Sequence, residues 1–307
     1  MNYADLHCDT PYELFVRGES FARCSTDLSL ARISRFEHYL QLAAFCAPPE
    51  LDDTDAYKLA SEVYEYFRRD TAAACRICTD RDSLEDSLAR RFPSFILTLE
   101  DARVTECKIE RLDALYSLGV RVITPLWGGA TCIGGSHESQ LGLTDGGKRL
   151  VRHASRLGMI LDISHASPRS ADDILDIAES ESAPVIASHS CAYSVYPASR
   201  NIHDRHAERT ARLGGVIGVN LYPPHLAGSV ASLSDAARHI KCLTDLVGSD
   251  AVCLGCDFDG MGAYTVGGES PECLPALRDE IIRVGISDAV CEKILFTNAY
   301  DFLKRSL

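Results

Sequence analysis

A single (β/α)8 barrel of the TIM type, taking in residues 1–307 as one domain, is the fold this sequence predicts, on three observations. Eight short apolar runs alternate with longer segments of helical period. Strand and helix in regular alternation imply a parallel sheet with right-handed crossovers. No repeat, low-complexity tract or Pro/Ser-rich linker divides the chain, and eight strands without a break favour closure into a barrel over an open doubly wound sheet.

The strands are expected at Asn2–Leu6, Tyr39–Phe45, Ser94–Leu99, Arg121–Thr124, Met159–Ile163, Pro184–Ala187, Val216–Val219 and Ala251–Leu254. Between and after them the pattern predicts helices at Asp55–Ala74, Ile109–Leu118, Gly146–Leu157, Ser170–Ala178, His206–Leu213, Ser234–Val247, Pro275–Val284 and Asp288–Leu303. Ser167-Pro168 and Ser234-Asp235 are helix-start signals, and Gly119, Gly158 and Gly248 stand where helices should stop.

Composition removes several function classes. With 31 Lys and Arg against 44 Asp and Glu, the net charge of −13 is the wrong sign for a nucleic-acid surface. A 46% hydrophobic content supports a real core and excludes disorder for most of the chain. The opening Met1-Asn2-Tyr3-Ala4-Asp5-Leu6-His7 has no basic stretch before an apolar run, so neither a secretory nor a transit peptide is expected. No segment approaches the roughly 20 apolar residues of a membrane span, so no membrane partner is expected. The thirteen Cys are odd in number and scattered from Cys8 to Cys291, which points to reduced thiols in a cytoplasm.

The chemistry-bearing residues fall at strand ends. His7 and Asp9 follow the first predicted strand, Glu100 ends the third, His165 follows the fifth, His189 ends the sixth and Asp257 follows the eighth. In a (β/α)8 barrel these C-terminal ends converge on one mouth, where active sites are built. Imidazole and carboxylate together suit Zn²⁺, with Mn²⁺, Fe²⁺ or Co²⁺ as alternatives. Five ligands and a spare acid suggest two ions, about 3.5–4 Å apart, with one carboxylate bridging. His7 and Asp9, two apart in extended chain, leave the same face. Any one of these residues alone reads more simply as a loop hydrogen-bonder; it is the joint pattern at five strand ends that points to metal.

The segments Asp5-Leu6-His7-Cys8-Asp9, Thr98-Leu99-Glu100-Asp101-Ala102, Leu161-Asp162-Ile163-Ser164-His165-Ala166-Ser167, Ser188-His189-Ser190-Cys191-Ala192-Tyr193 with Arg200-Asn201, and Gly255-Cys256-Asp257-Phe258-Asp259-Gly260 resemble the renal (membrane) dipeptidases, in the same order across nearly the whole chain. The resemblance implies a binuclear zinc site in which His7 and Asp9 bind one ion, His165 and His189 the other, and Glu100 bridges. It implies that Asp257 is the acid exchanging protons with the bridging water and the leaving amine, and that Arg200 grips the substrate's terminal carboxylate. It also suggests a homodimer. One departure stands out: where family members often carry a His after the fourth strand, Ile123-Thr124-Pro125-Leu126-Trp127-Gly128 places Trp127, an N–H donor with no ionisable group. His137, downstream, is a candidate replacement.

Other motifs point elsewhere and are weaker. Cys75-Arg76-Ile77-Cys78 and Cys253-Leu254-Gly255-Cys256 satisfy C-x-x-C, but the second pair lies on a strand, where residues three apart face opposite ways. Gly142 to Lys148 nearly forms a P-loop, yet Arg149 stands where Ser or Thr is required. Asp257-Phe258-Asp259-Gly260 starts like a calcium loop but continues with Met261, Gly262 and Ala263. Leu51-Asp52-Asp53-Thr54-Asp55 reads as a helix start whose charges suit the helix dipole. The expectation is a cytoplasmic zinc dipeptidase that attacks the amide of a small dipeptide with a metal-bridging hydroxide. The alternatives are a related amide, lactam or lactone hydrolase, which Trp127 permits, or a non-catalytic metal-binding protein.

Overall fold

A computed structural model describes residues Met1–Leu307. Nine parallel strands form one sheet: β1 (Tyr3–Asp5), β2 (Tyr39–Cys46), β3 (Arg76–Ile77), β4 (Ser94–Glu100), β5 (Val120–Thr124), β6 (Ile160–Asp162), β7 (Val185–Ala187), β8 (Val216–Val219) and β9 (Val252–Leu254). β1 pairs with both β2 and β9, and β2 pairs with β4, so eight strands close into a barrel and the sheet has no free edge there. Each of the eight predicted strands lies on one of these. The two-residue β3 was not foreseen; it runs beside Ser94 and Phe95 at the entry of β4.

The helices are α1 (Thr10–Arg17), α2 (Leu30–Ile33), α3 (Asp53–Thr71), α4 (Arg81–Ala89), α5 (Ile109–Ser117), α6 (Asp145–Arg156), α7 (Pro168–Glu181), α8 (Asp204–Arg212), α9 (Pro223–Leu226), α10 (Leu233–Val247), α11 (Leu274–Arg283), α12 (Asp288–Glu292) and α13 (Asn298–Ser306). Side-chain caps set several starts. Asp52 accepts from Thr54 N and Asp55 N, Thr144 from Gly147 N, and Ser167 from Ser170 N with Pro168 following. α3 therefore begins two residues before the predicted start, inside the acidic cluster. The predicted Asp288–Leu303 helix is broken by a π-helical turn at Lys293–Thr297 that separates α12 from α13. α1, α2, α4 and α9 were not predicted, being short or in segments read as loops.

Strand alternation layers the barrel interior. Ala4, Leu40, Ile96, Val122, Ile160, Ile186, Val216 and Cys253, one from each barrel strand, are buried in a single apolar cluster with Phe302 and Leu303 of α13. Two residues further along, the same face carries Thr98, Thr124, Asp162 and Ser188, all buried and polar. That polar layer underlies the mouth. Cys253 and Cys256 do face different ways: Cys256 Sγ lies 3.4 Å from Tyr3 Oη, whereas Cys253 joins the interior cluster. Lys148 of the near P-loop pairs with Asp173 instead, at 2.7 Å. No helix is long and apolar enough to cross a membrane.

Candidate metal centre and active site

All six acidic and imidazole candidates meet at the barrel mouth. His7 Nε2 lies 3.3 Å from Asp9 Oδ2, 3.6 Å from Glu100 Oε2 and 3.7 Å from Asp257 Oδ1. On the other side of Glu100, its Oε1 is 2.9 Å from His165 Nε2 and 3.3 Å from His189 Nε2. Glu100, at the end of β4, thus stands between a His7–Asp9–Asp257 group and a His165–His189 group. The backbone at His165 (φ 64°) and Asp257 (φ 70°) is left-handed without glycine, a local strain typical of functional positions. Gly260 makes the close approach possible, since a Cβ there would lie 2.2 Å from Asp9 Oδ2 and 2.6 Å from Asp257 Oδ1.

The hydrogen-bond network assigns the imidazole tautomers. His165 Nδ1 donates to the Trp127 carbonyl at 3.1 Å. Asp162 accepts from Ser188 Oγ, Ser188 N, Ser164 N and Thr124 Oγ1. With its own proton committed to Asp162, Ser188 Oγ accepts from His189 Nδ1 at 2.7 Å. Both Nε2 atoms therefore present lone pairs, 2.9 Å apart, and Glu100 Oε1 completes a triangle with them at 2.9 and 3.3 Å. Burial holds His165 down at about 3 and His189 well below the ordinary imidazole range, so proton sharing does not relieve this arrangement.

These residues fit a metal. The buried atoms His7 Nδ1 and Nε2, Asp9 Oδ1 and Glu100 Oε1 have no hydrogen-bond partner, a cost that a cation among them would remove. His7–Glu100–His189 and His7–Asp9–Asp257 each bring three ligand atoms within 4.8 Å of one another. Burial opposes charge on both His7 and Glu100, but their mutual attraction prevails, raising His7 and lowering Glu100. A donor set of imidazoles and carboxylates suits a divalent transition-metal ion, which would displace the proton from His7 on binding.

Arg200 and Trp127 line the same cavity of about 660 Å³, with Tyr12, His137, Tyr222 and His225. Arg200 is 5% exposed and donates from Nη1 to Ser190 Oγ at 3.1 Å, leaving Nε and Nη2 without partners. Those two nitrogens form one edge of the guanidinium, the edge that binds a carboxylate in bidentate fashion. His137 reaches the cavity too, with Nδ1 3.1 Å from Ser199 Oγ and its ring 5.9 Å from that of His165.

Sequence reasoning did not single out Asp162, Ser188, Asn220, His225 or Gly260. Asp162 and Ser188 were available as buried polar residues on strand faces beside ligands. Asn220 directly follows β8 and His225 lies in the short α9, where no ligand pattern pointed.

Chain-wide similarity agrees with this geometry. The family model described as Membrane dipeptidase (Peptidase family M19) matches residues 1–305. Dipeptidase 3 of Mus musculus is 29% identical over 265 residues, covering 82% of this chain, which spans only 52% of that protein's length. The crystal structure of the metallopeptidase named dipeptidase AC superposes with a TM-score of 0.89 at 25% identity, covering 100% of this chain and 98% of the other. A metallopeptidase from Rhodobacter sphaeroides, solved with a phosphinate mimic of L-Ala-D-Ala, has the same fold, with a TM-score of 0.90 at 24% identity, covering 100% and 99%.

Proposed function

The chain belongs to the membrane dipeptidase family, whose members include metallopeptidases, and from that premise we propose that it hydrolyses free dipeptides with two zinc ions at the barrel mouth. His7 and Asp9 would hold one ion, His165 and His189 the other, and Glu100 would span both. When bound, such a pair supplies Lewis acidity that activates water and polarises the amide carbonyl.

The protein's own groups do the rest. The Trp127 carbonyl and the Asp162–Ser188 pair keep His165 and His189 in the ligand tautomer. Asp257 handles the proton, receiving it from the attacking water and passing it to the departing amine. Burial, with Asp9 and Glu100 beside it, pushes its carboxyl up to about 8 in the metal-free site, and the positive charge of bound ions would lower it again, favouring the ionised carboxylate. Trp127 forms part of the wall against which the substrate lies. A reducing, cytoplasmic setting remains part of the proposal, supported by the odd, scattered cysteines.

The observation that carries the substrate assignment is Arg200, a buried guanidinium in the cavity wall whose bidentate edge has no hydrogen-bond partner. A charge so buried is costly unless a counter-charge joins it, and a dipeptide's C-terminal carboxylate provides one. Free dipeptides should therefore be cleaved while their C-terminal amides and longer peptides are poor substrates. Equal turnover of free and amidated dipeptides would refute the anchor and favour a lactam or lactone substrate.

A further inference from the structure

We propose that His225 is a second substrate-binding group, donating from Nε2 to the terminal carboxylate that Arg200 holds; this rests on the Arg200 reading above. Its tautomer is fixed from behind. Asn220 Oδ1 accepts from Tyr222 N at 3.3 Å and from Cys191 Sγ at 3.2 Å, which orients the amide. Asn220 Nδ2 then donates to His225 Nδ1 at 2.8 Å. An imidazole that accepts at Nδ1 carries its proton on Nε2. That Nε2 makes no hydrogen bond within the chain, and His225 lines the same cavity as Arg200.

The backbone ties the two groups together. Asn201, next to Arg200, donates from Nδ2 to the His225 carbonyl at 2.7 Å and to the Tyr196 carbonyl at 2.8 Å. The Tyr222 ring packs edge-on against His225, with centroids 4.9 Å apart, and limits its rotation. Burial and the Arg200 charge also hold His225 down to about 2, so it stays a neutral donor at working pH. A carboxylate has about four acceptor positions, and a bidentate arginine uses two. One of the others is left for a fixed N–H. Arg200 thus supplies charge, and His225 adds a directed N–H donor.

The test compares zinc-loaded wild type, His225→Phe, His225→Gln and Arg200→Ala on Ala-Ala and its C-terminal amide, with melting temperature and zinc content as checks on folding. A hydrogen bond to a charged group implies that His225→Phe raises KM for Ala-Ala by about 10-fold or more while kcat changes little. His225→Gln, which can accept from Asn220 and still donate, should recover much of the loss. The amide, which keeps one carbonyl acceptor but no charge, should lose distinctly less than the free acid. If the phenyl ring does not pack, His225→Leu gives the same loss with a smaller side chain. The inference is overturned if His225→Phe leaves KM unchanged, or weakens free and amidated substrates equally, while Arg200→Ala abolishes the preference for the free acid. If Arg200→Ala preserves that preference, the anchor itself is wrong and the role of His225 falls with it.

Discussion

Asp162→Asn should cripple metal binding without touching a ligand. In the native site one carboxylate oxygen accepts from the backbone N–H groups of Ser164 and Ser188, each at 2.9 Å, and the other from the hydroxyls of Thr124 and Ser188. Asparagine can keep the first pair, but its NH2 group then faces both hydroxyls as a donor. Ser188 must turn its proton away, and the nearest acceptor is His189 Nδ1 at 2.7 Å. The ring proton is thereby driven to Nε2, the atom that points at Glu100. Losses of this kind behind a metal-bound histidine cost about 10- to 100-fold in affinity, or roughly 1.4–2.8 kcal/mol. Zinc titration against a competing chelator measures the affinity, and ¹⁵N spectra of the histidines locate the proton. Wild-type affinity in the variant, with His189 still protonated at Nδ1, would refute the reasoning.

Three further outcomes follow from the same geometry. Gly260→Ala puts a Cβ 2.2 Å from Asp9 Oδ2, where ordinary contact begins at 3.4 Å; a retreat of roughly 1 Å should cost about 100-fold in kcat/KM, with loss of metal visible by elemental analysis. Asp257→Asn should lower kcat by about 10²–10⁴ with zinc content near wild type, and loss of zinc instead would make Asp257 a ligand. Asp259 is pushed from 3.8 up to about 7 by burial and by the Asp27 carboxylate. Because its folded value is the higher one, it contributes stability that is complete below about pH 4 and lost as pH rises through 7. Its slope reaches about 1.4 kcal/mol per pH unit, and denaturant melts of metal-free Asp259→Asn between pH 4 and 7 should lack that contribution.

The barrel was legible because each of its strands is a short apolar run with a helix behind it, and eight such units without a linker favour closure. The ligands were legible because they sit at strand ends, where position in the chain predicts position in space. Less visible were elements whose reasons are tertiary. β3 is two residues pairing with the start of β4, and α4 rests on a capping box between Asp80 and Ser83 in a stretch of weak amphipathicity. The C-terminal helix reads as continuous in sequence, and only the structure reveals its π-helical turn. Within the site, the tautomers depend on which hydroxyl points at Asp162 and which way the Asn220 amide is turned. Those choices are made across 26 residues between Ser188 and Asp162, and 29 between Cys191 and Asn220, so no local motif records them. Turn-forming residues make up Pro197-Ala198-Ser199-Arg200-Asn201, and Pro197 and Ser199 stay exposed, yet Arg200 is buried.

The central claim is that Glu100 joins two metal positions into one hydrolytic site. Zinc titration of metal-free protein, followed by Ala-Ala hydrolysis and by metal analysis of the same samples, tests it most directly. Activity should rise to a plateau at two ions per chain, and Glu100→Ala should hold neither ion well. A plateau at one ion, or full hydrolysis in the presence of excess chelator, would contradict it.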